Sequence, residues 1–122
     1  GARAIMVGHP IYESLDPDLP ASLSPAVLDL LRDEFGFGGV AVTDALNMAG
    51  VAAGRGPGDL AVAALAAGED LLLVIDPAQV ETTAAAIVAA VATGGLSLER
   101  LQEAAARVRA LAAGAPQIAC PG

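Results

Sequence analysis

Lysine is absent from this sequence, and several other residues with useful side-chain chemistry are scarce. All six basic residues are arginines, tryptophan does not occur, aromatic residues make up 2% of the chain, and there is one histidine. The lack of lysine excludes Schiff-base chemistry, lysine general bases and the lysine of phosphate-binding loops. The single cysteine, Cys120, excludes an intrachain disulfide.

Long apolar runs are also missing. Those in Ala84 to Ala92 and Leu71 to Ile75 are far shorter than the roughly 18 residues that a membrane-spanning helix requires. The residues from Gly1 to Ala4 do not show the charged region and apolar run of a signal peptide. A net charge of −8 predicts repulsion of phosphate backbones and anionic lipids. We therefore expect no membrane span and no nucleic-acid partner.

Three short apolar runs alternate with segments that carry helix caps and helical spacing of apolar residues. The predicted strands are Ala4–Val7, Val40–Thr43 and Leu71–Ile75. The predicted helices are Pro25–Phe35, a second from its cap Asp59 to about Gly68, a third from its cap Asp76 to Gly94, and a fourth from its cap Ser97 to Gly114. The proline-containing segment from Ile11 to Leu23 is predicted to be an irregular loop.

The spacing of these strands predicts an α/β fold with a parallel sheet, because βαβ units repeat about every 30 residues or more. Periodicity alone leaves two architectures open, an open doubly wound sheet and part of an eight-stranded barrel. In both, the carboxyl ends of the strands bring His9, Asp44 and Asp76 to the edge where ligands bind. Three apolar strands leave two hydrophobic edges unpaired, so we expect the chain to be part of a larger unit.

One motif is more specific than these patterns. Gly36–Met48, which reads GFGGVAVTDALNM, follows Met6–Pro10 and Leu19–Pro25 along the chain. Together these segments resemble family 3 glycoside hydrolases, and the similarity extends from the first strand to the fourth helix. The resemblance implies a partial TIM barrel, with residues 1–115 as about the last three βα units of that family's (β/α)8 domain and 116–122 as a tail.

The resemblance also implies a site. In that family, the aspartate at the position of Asp44 is the nucleophile of a retaining mechanism. The residues after it, Ala45 to Met48, resemble the β-N-acetylhexosaminidase branch and imply terminal β-N-acetylglucosaminides as substrates, peptidoglycan fragments among them. The Lys-His and His-Asp motifs of that branch are absent here. We therefore expect a missing N-terminal barrel segment as partner and negligible hydrolysis by the isolated chain.

Simpler interpretations compete for each candidate residue. Asp44 could cap a neighbouring turn, and His9 could either contact a sugar hydroxyl or be a structural hydrogen-bonding residue. The sequence indicates no metal, because Asp16 and Asp18 flank a proline in a pattern typical of turns. It indicates no other cofactor, because the glycine-rich segment Gly54–Gly58 lacks the lysine and hydroxyl residue of a phosphate-binding loop.

Other protein classes fit less well. A receiver-like phosphoacceptor domain has this length and a strand-end aspartate, but it needs an acidic pair after the first strand and a late lysine. A serine hydrolase would have to use His9 and lacks the Gly-x-Ser-x-Gly elbow. A non-catalytic barrel remnant or assembly fragment, completed by another chain, is compatible with hydrolase ancestry.

Overall fold

The computed structural model describes residues 1–114, which form a three-stranded parallel sheet with helices around it. The strands are β1 (Ala4–Val7), β2 (Val40–Ala45) and β3 (Leu71–Leu73), arranged in the order β1-β2-β3. Both strand pairs are parallel, so the predicted α/β fold is confirmed. The predicted boundary at 115 and the tail 116–122 lie outside the described residues.

Five α-helices lie within residues 1–114, and four of them correspond to the four predicted helices. They are α1 (Pro25–Asp29), α2 (Ala49–Ala52), α3 (Pro57–Ala67), α4 (Val80–Thr93) and α5 (Leu98–Ala113). Short 3-10 turns occupy Ala21–Leu23 and Pro77–Gln79. No helix in the described part of the chain is long and apolar enough to cross a membrane.

Several element boundaries differ from the predicted ones. The helix predicted over Pro25–Phe35 changes at Leu30–Glu34 to a wider π-helical turn, in which the Phe35 amide donates to the Leu30 carbonyl. Helix α3 begins at Pro57, because proline is favoured in a first helical turn, so Asp59 lies inside the helix. Helix α2 was not predicted from the sequence.

Small side chains allow the helices to pack closely on the sheet and on each other. Leu28 of α1 packs against Val7 and Ala41 from the first two strands. Between α3 and α4, a Cβ added at Gly58 would lie 2.7 Å from the Ala86 Cβ. The absence of a side chain at Gly58 therefore lets α3 and α4 approach closely at this point.

The sheet surface that the helices do not cover is apolar and open. Met6, Val42 and Leu71 stand side by side in the register of the three strands. Met6 is 57% exposed and Leu71 is 41% exposed. Fully buried strands normally have protein on both faces, so this surface is one that another segment could cover.

The amino edge of the sheet is held by a buried ionic cluster that the sequence analysis did not identify. Asp70, directly before β3, has a fully buried side chain. One carboxylate oxygen accepts from Arg32 at 2.6 Å and from the Ala41 amide at 3.1 Å. The other accepts from Arg100 at 2.5 Å and Arg107 at 3.1 Å. Three of the six arginines therefore fasten α5 and the π-helical turn to the sheet.

Glu69, next to Asp70, is also fully buried, but its two carboxylate oxygens have no hydrogen-bond partner among the described residues. Burial, with the neighbouring Asp70 charge, raises the pKa of Glu69 to about 8, although Arg32 and Arg100 act in the opposite direction. The Glu69 side chain is therefore predominantly protonated at neutral pH.

Candidate active site

The carboxyl edge of the sheet carries the polar residues predicted to form a site. Because the three strands are parallel, His9 after β1, Asp44 in β2 and Asp76 after β3 all belong to this edge. Asp76 has a local structural role there: its carboxylate accepts from the Ala78 amide at 3.0 Å and caps the turn that leads into α4. His9 follows β1, and Asp44 lies in the neighbouring strand β2.

Asp44 lies within β2 and not beyond its end, because the strand continues to Ala45. The pairing of β2 with β3 is irregular between Val42 and Ala45, where β2 has one more residue than β3. At this bulge the Thr43 hydroxyl oxygen accepts from the Leu73 amide at 3.0 Å. Bulges reorient side chains and are common beside active sites.

The Asp44 side chain is half-buried, on the same side of β2 as Val42, while Thr43 and Ala45 are buried on the other side. One carboxylate oxygen of Asp44 accepts from the Ala45 amide at 2.7 Å. The other oxygen receives no hydrogen bond from within residues 1–114. The carboxylate is thus held by one oxygen while the second is available to a ligand.

His9 links the end of β1 to this region. Its Nε2 lies 3.0 Å from the Ala45 carbonyl oxygen, and its Nδ1 lies 2.7 Å from the Ser22 hydroxyl oxygen. Both ring nitrogens therefore have protein partners. The contact between His9 and a sugar stays a prediction, and the contact of His9 with Ser22 was not predicted from the sequence. Only the position of Ser22 in the loop after a strand-end histidine could have suggested it.

The segment predicted as an irregular loop is ordered by Asp16. Its carboxylate accepts from the amides of Asp18 and Leu19 at 3.1 Å each and from the Ser24 hydroxyl at 2.7 Å. The Ser24 hydrogen bond, with the backbone amides, lowers the pKa of Asp16 below its usual value. Ser24 also caps α1 through the Val27 amide. Asp16 thus serves a turn and a helix cap, and it ties the loop beside His9 to α1.

A model of the glycosyl hydrolase family 3 N-terminal domain matches residues 1–111 of this sequence. The chain belongs to glycosyl hydrolase family 3. This family 3 chain is 37% identical over 114 residues to a protein of Arthroderma benhamiae described as an uncharacterized secreted glycosyl hydrolase, a match that covers 91% of this chain and 32% of that protein. It is 42% identical over 89 residues to a beta-hexosaminidase of Chromobacterium violaceum, covering 71% and 25% of the two chains.

A solved structure shows the same relationship. The crystal structure of a beta-N-acetylhexosaminidase from Beutenbergia cavernae matches with a TM-score of 0.83 and 36% sequence identity, over 91% of this family 3 chain and 33% of that one. The chain therefore spans between a quarter and a third of the length of the relatives that it matches. Its three parallel strands and helices agree with the fold of the corresponding part of that structure.

Proposed function

We propose that this chain is the nucleophile-bearing part of a retaining glycoside hydrolase that acts on terminal β-N-acetylglucosaminides, and that Asp44 is the nucleophile. The observation that carries the proposal is the geometry of Asp44, which stands at the carboxyl edge of the sheet with one oxygen bound to the Ala45 amide and the other unbonded within the described residues. The relatives named beta-hexosaminidase support the choice of substrate.

In the proposed reaction, a carboxylate oxygen of Asp44 attacks the anomeric carbon, and the bond to the aglycone oxygen breaks. The leaving oxygen takes a proton from an acid supplied by a segment outside this chain. Water, deprotonated by the same group, then attacks the anomeric carbon, and the bond to Asp44 breaks to release the sugar with its configuration retained. His9 borders the sugar site beside Asp44, and we propose that it also contacts the sugar.

We further propose that residues 1–115 form about the last three βα units of a TIM barrel, which an N-terminal segment completes. The sequential strand order β1-β2-β3 is the order that a barrel requires. The exposed apolar face around Met6 and Leu71 supports a covering segment, and the relatives are three to four times longer than the matched region. By this proposal, the isolated chain binds no sugar productively.

The test is turnover of a chromogenic β-N-acetylglucosaminide by the product of the complete reading frame that encodes this chain. A second protein for the same assay is the Beutenbergia cavernae enzyme with its matching segment replaced by residues 1–111. In both, we expect Asp44→Ala to lower kcat at least about a thousandfold, because the covalent intermediate can no longer form. Asp76→Asn is the matched control, since Asp76 caps a turn at the same edge.

Added azide gives a sharper readout than loss of activity. In Asp44→Ala, azide can occupy the volume left by the carboxylate and attack the anomeric carbon from that face. A β-glycoside then yields the α-glycosyl azide, whereas an unmutated retaining enzyme returns the β-configured product. Wild-type turnover by Asp44→Ala would refute the nucleophile assignment. Turnover by the 122-residue chain alone would refute the proposed need for an N-terminal segment.

An assembly fragment without catalysis is the second candidate, and the open sheet surface is the observation that favours it. Under this alternative, Met6 and Leu71 would be covered by another chain and Asp44 would not react. Sedimentation of the purified chain distinguishes the two, together with the assay above. The assembly role would be favoured if the purified chain forms a stable oligomer and the product of the complete reading frame has no turnover.

A further inference from the structure

Ser22 is fully buried and occupies a fixed position behind the proposed site. Its amide donates to the Gly8 carbonyl at 3.1 Å, and the neighbouring Ala21 amide donates to the Pro10 carbonyl at 2.8 Å. These two bonds bind the 3-10 turn to the chain on both sides of His9. The Ser22 hydroxyl is thereby held 2.7 Å from His9 Nδ1.

The partners of the His9 ring determine which nitrogen carries the proton. The Ala45 carbonyl oxygen can only accept, so His9 Nε2 must be protonated to bond to it at 3.0 Å. In the neutral ring, Nδ1 is then an acceptor, and the Ser22 hydroxyl donates to it. The Ala45 carbonyl thus fixes the tautomer, and the Ser22 hydroxyl holds the ring in the orientation that places Nε2 against that carbonyl.

Ala45 is the residue through which His9 reaches Asp44. Its amide binds Asp44 Oδ1 at 2.7 Å, and its carbonyl is held by His9 at 3.0 Å and by the Met48 amide at 3.2 Å. The bulge removes regular ladder bonds from this stretch of β2, where Thr43 supplies a side-chain acceptor in place of a backbone one. The His9 bond thus supports β2 next to this irregular pairing, at the peptide that binds the Asp44 carboxylate.

We propose that Ser22 is a positioning residue for Asp44, acting through the orientation of the His9 ring and the peptide of Ala45. The proposal rests on the proposed function of Asp44. Small displacements of a reacting group can cost on the order of a hundredfold in rate. Because Ser22 is fully buried, its removal takes away no group that faces the sugar, and its effect on Asp44 is transmitted through the His9 ring. We expect Ser22→Ala to lower kcat on the order of tenfold or more with little change in KM.

The first test needs no catalytic activity. His9 is the one histidine of the chain, so its imidazole nitrogens give a single, unambiguous pair of 15N signals. Under alkaline conditions, we expect a protonated Nε2 and an unprotonated Nδ1 in the 122-residue protein. Ser22→Ala should move the Nδ1 signal, because that nitrogen loses the hydrogen bond from the Ser22 hydroxyl. Ser24→Ala is the matched control, because it removes a buried hydroxyl from the same segment that bonds to Asp16 and not to His9.

The second test uses the turnover assay described above. Ser22→Ala should lower kcat, and Ser24→Ala should leave it near the wild-type value. His9→Gln should retain more activity than His9→Ala, because the glutamine amide can still donate to the Ala45 carbonyl. Dispersed amide spectra of each variant show whether it is folded.

The outcomes separate this inference from the proposed function. An unchanged Nδ1 signal and an unchanged kcat in Ser22→Ala would overturn the positioning role. A raised KM in His9→Ala with an unaffected Ser22→Ala would also overturn it and would favour direct contact between His9 and sugar. If Asp44→Ala keeps wild-type turnover, the nucleophile proposal fails, while the change of the Nδ1 signal in Ser22→Ala still reports the Ser22–His9 link.

Discussion

Replacement of Glu69 by glutamine should make the stability of this protein much less sensitive to pH. Glu69 is fully buried without a hydrogen-bond partner for its carboxylate among the described residues, and its pKa is raised from 4.5 to about 8. Glutamine has nearly the same shape and cannot ionise. The difference between wild type and Glu69→Gln therefore isolates the cost of ionising this one group.

The sign follows from proton binding. Between about pH 4.5 and pH 8, the folded protein keeps the Glu69 proton and the unfolded chain releases it. The free energy of unfolding therefore falls as pH rises through this window, and the contribution of this proton is lost above the folded-state pKa. At about 1.4 kcal/mol per pKa unit, the wild type should lose roughly 3 to 4 kcal/mol between pH 5 and pH 8 relative to Glu69→Gln. That is a large part of the 5–15 kcal/mol typical of a domain.

Urea denaturation of both proteins across pH 5 to 9 measures this difference. Glu99→Gln is the control, because Glu99 is exposed in the first turn of α5 and its removal should produce a nearly constant difference from wild type. Stability curves of wild type and Glu69→Gln that run parallel over the whole range would refute the reasoning. They would show that water or a local rearrangement solvates the Glu69 carboxylate.

Two further substitutions test the amino edge of the sheet. Asp70→Ala leaves three arginines without their shared carboxylate and should lower the free energy of unfolding, measured by urea denaturation, by about 3–5 kcal/mol. Glu103→Ala is its control and should lower it by about 1 kcal/mol or less, because Glu103 belongs to an exposed ion pair. Equal effects would show that the cluster is not a buried one. Gly39→Ala should lower the free energy of unfolding by about 1–3 kcal/mol, because the new Cβ would lie 2.5 Å from the Arg3 carbonyl oxygen. Gly38→Ala is its control and should change the free energy of unfolding by less than about 0.5 kcal/mol, because a Cβ at Gly38 would have nothing within 4 Å. Similar midpoints for these two glycine variants would contradict the close approach of the chain at Gly39.

Local patterns in the sequence predicted a substantial part of the fold. Ser24 and Ser97 cap α1 and α5 as predicted, because an N-cap depends on a hydroxyl and an amide three residues away. The strand spacing predicted parallel pairing, since each connection is long enough to contain a crossover helix. Helix α2 was missed because the segment around Ala49–Ala52 is one short turn without a capping side chain.

The predicted position of Asp44 at the carboxyl edge also followed from sequence, but its environment did not. An apolar run that ends in an aspartate indicates a strand-end carboxylate, and the resemblance to family 3 assigned it a role. The bulge in β2 depends on how many residues β3 places opposite it, which is a property of the paired strands. The sequence of β2 contains no glycine or proline that would have marked the irregularity.

By itself, the sequence determined the three strands, their direction and the edge to which His9 and Asp44 belong. Only the tertiary structure decided which polar groups meet. Ser22 reaches His9 across 13 residues, His9 reaches Ala45 across 36, and Arg107 reaches Asp70 across 37. Such contacts depend on how the helices and loops pack against the sheet, whereas strands and caps depend on neighbours along the chain. For this reason the nucleophile candidate could be predicted from sequence, and the residues that orient it could not.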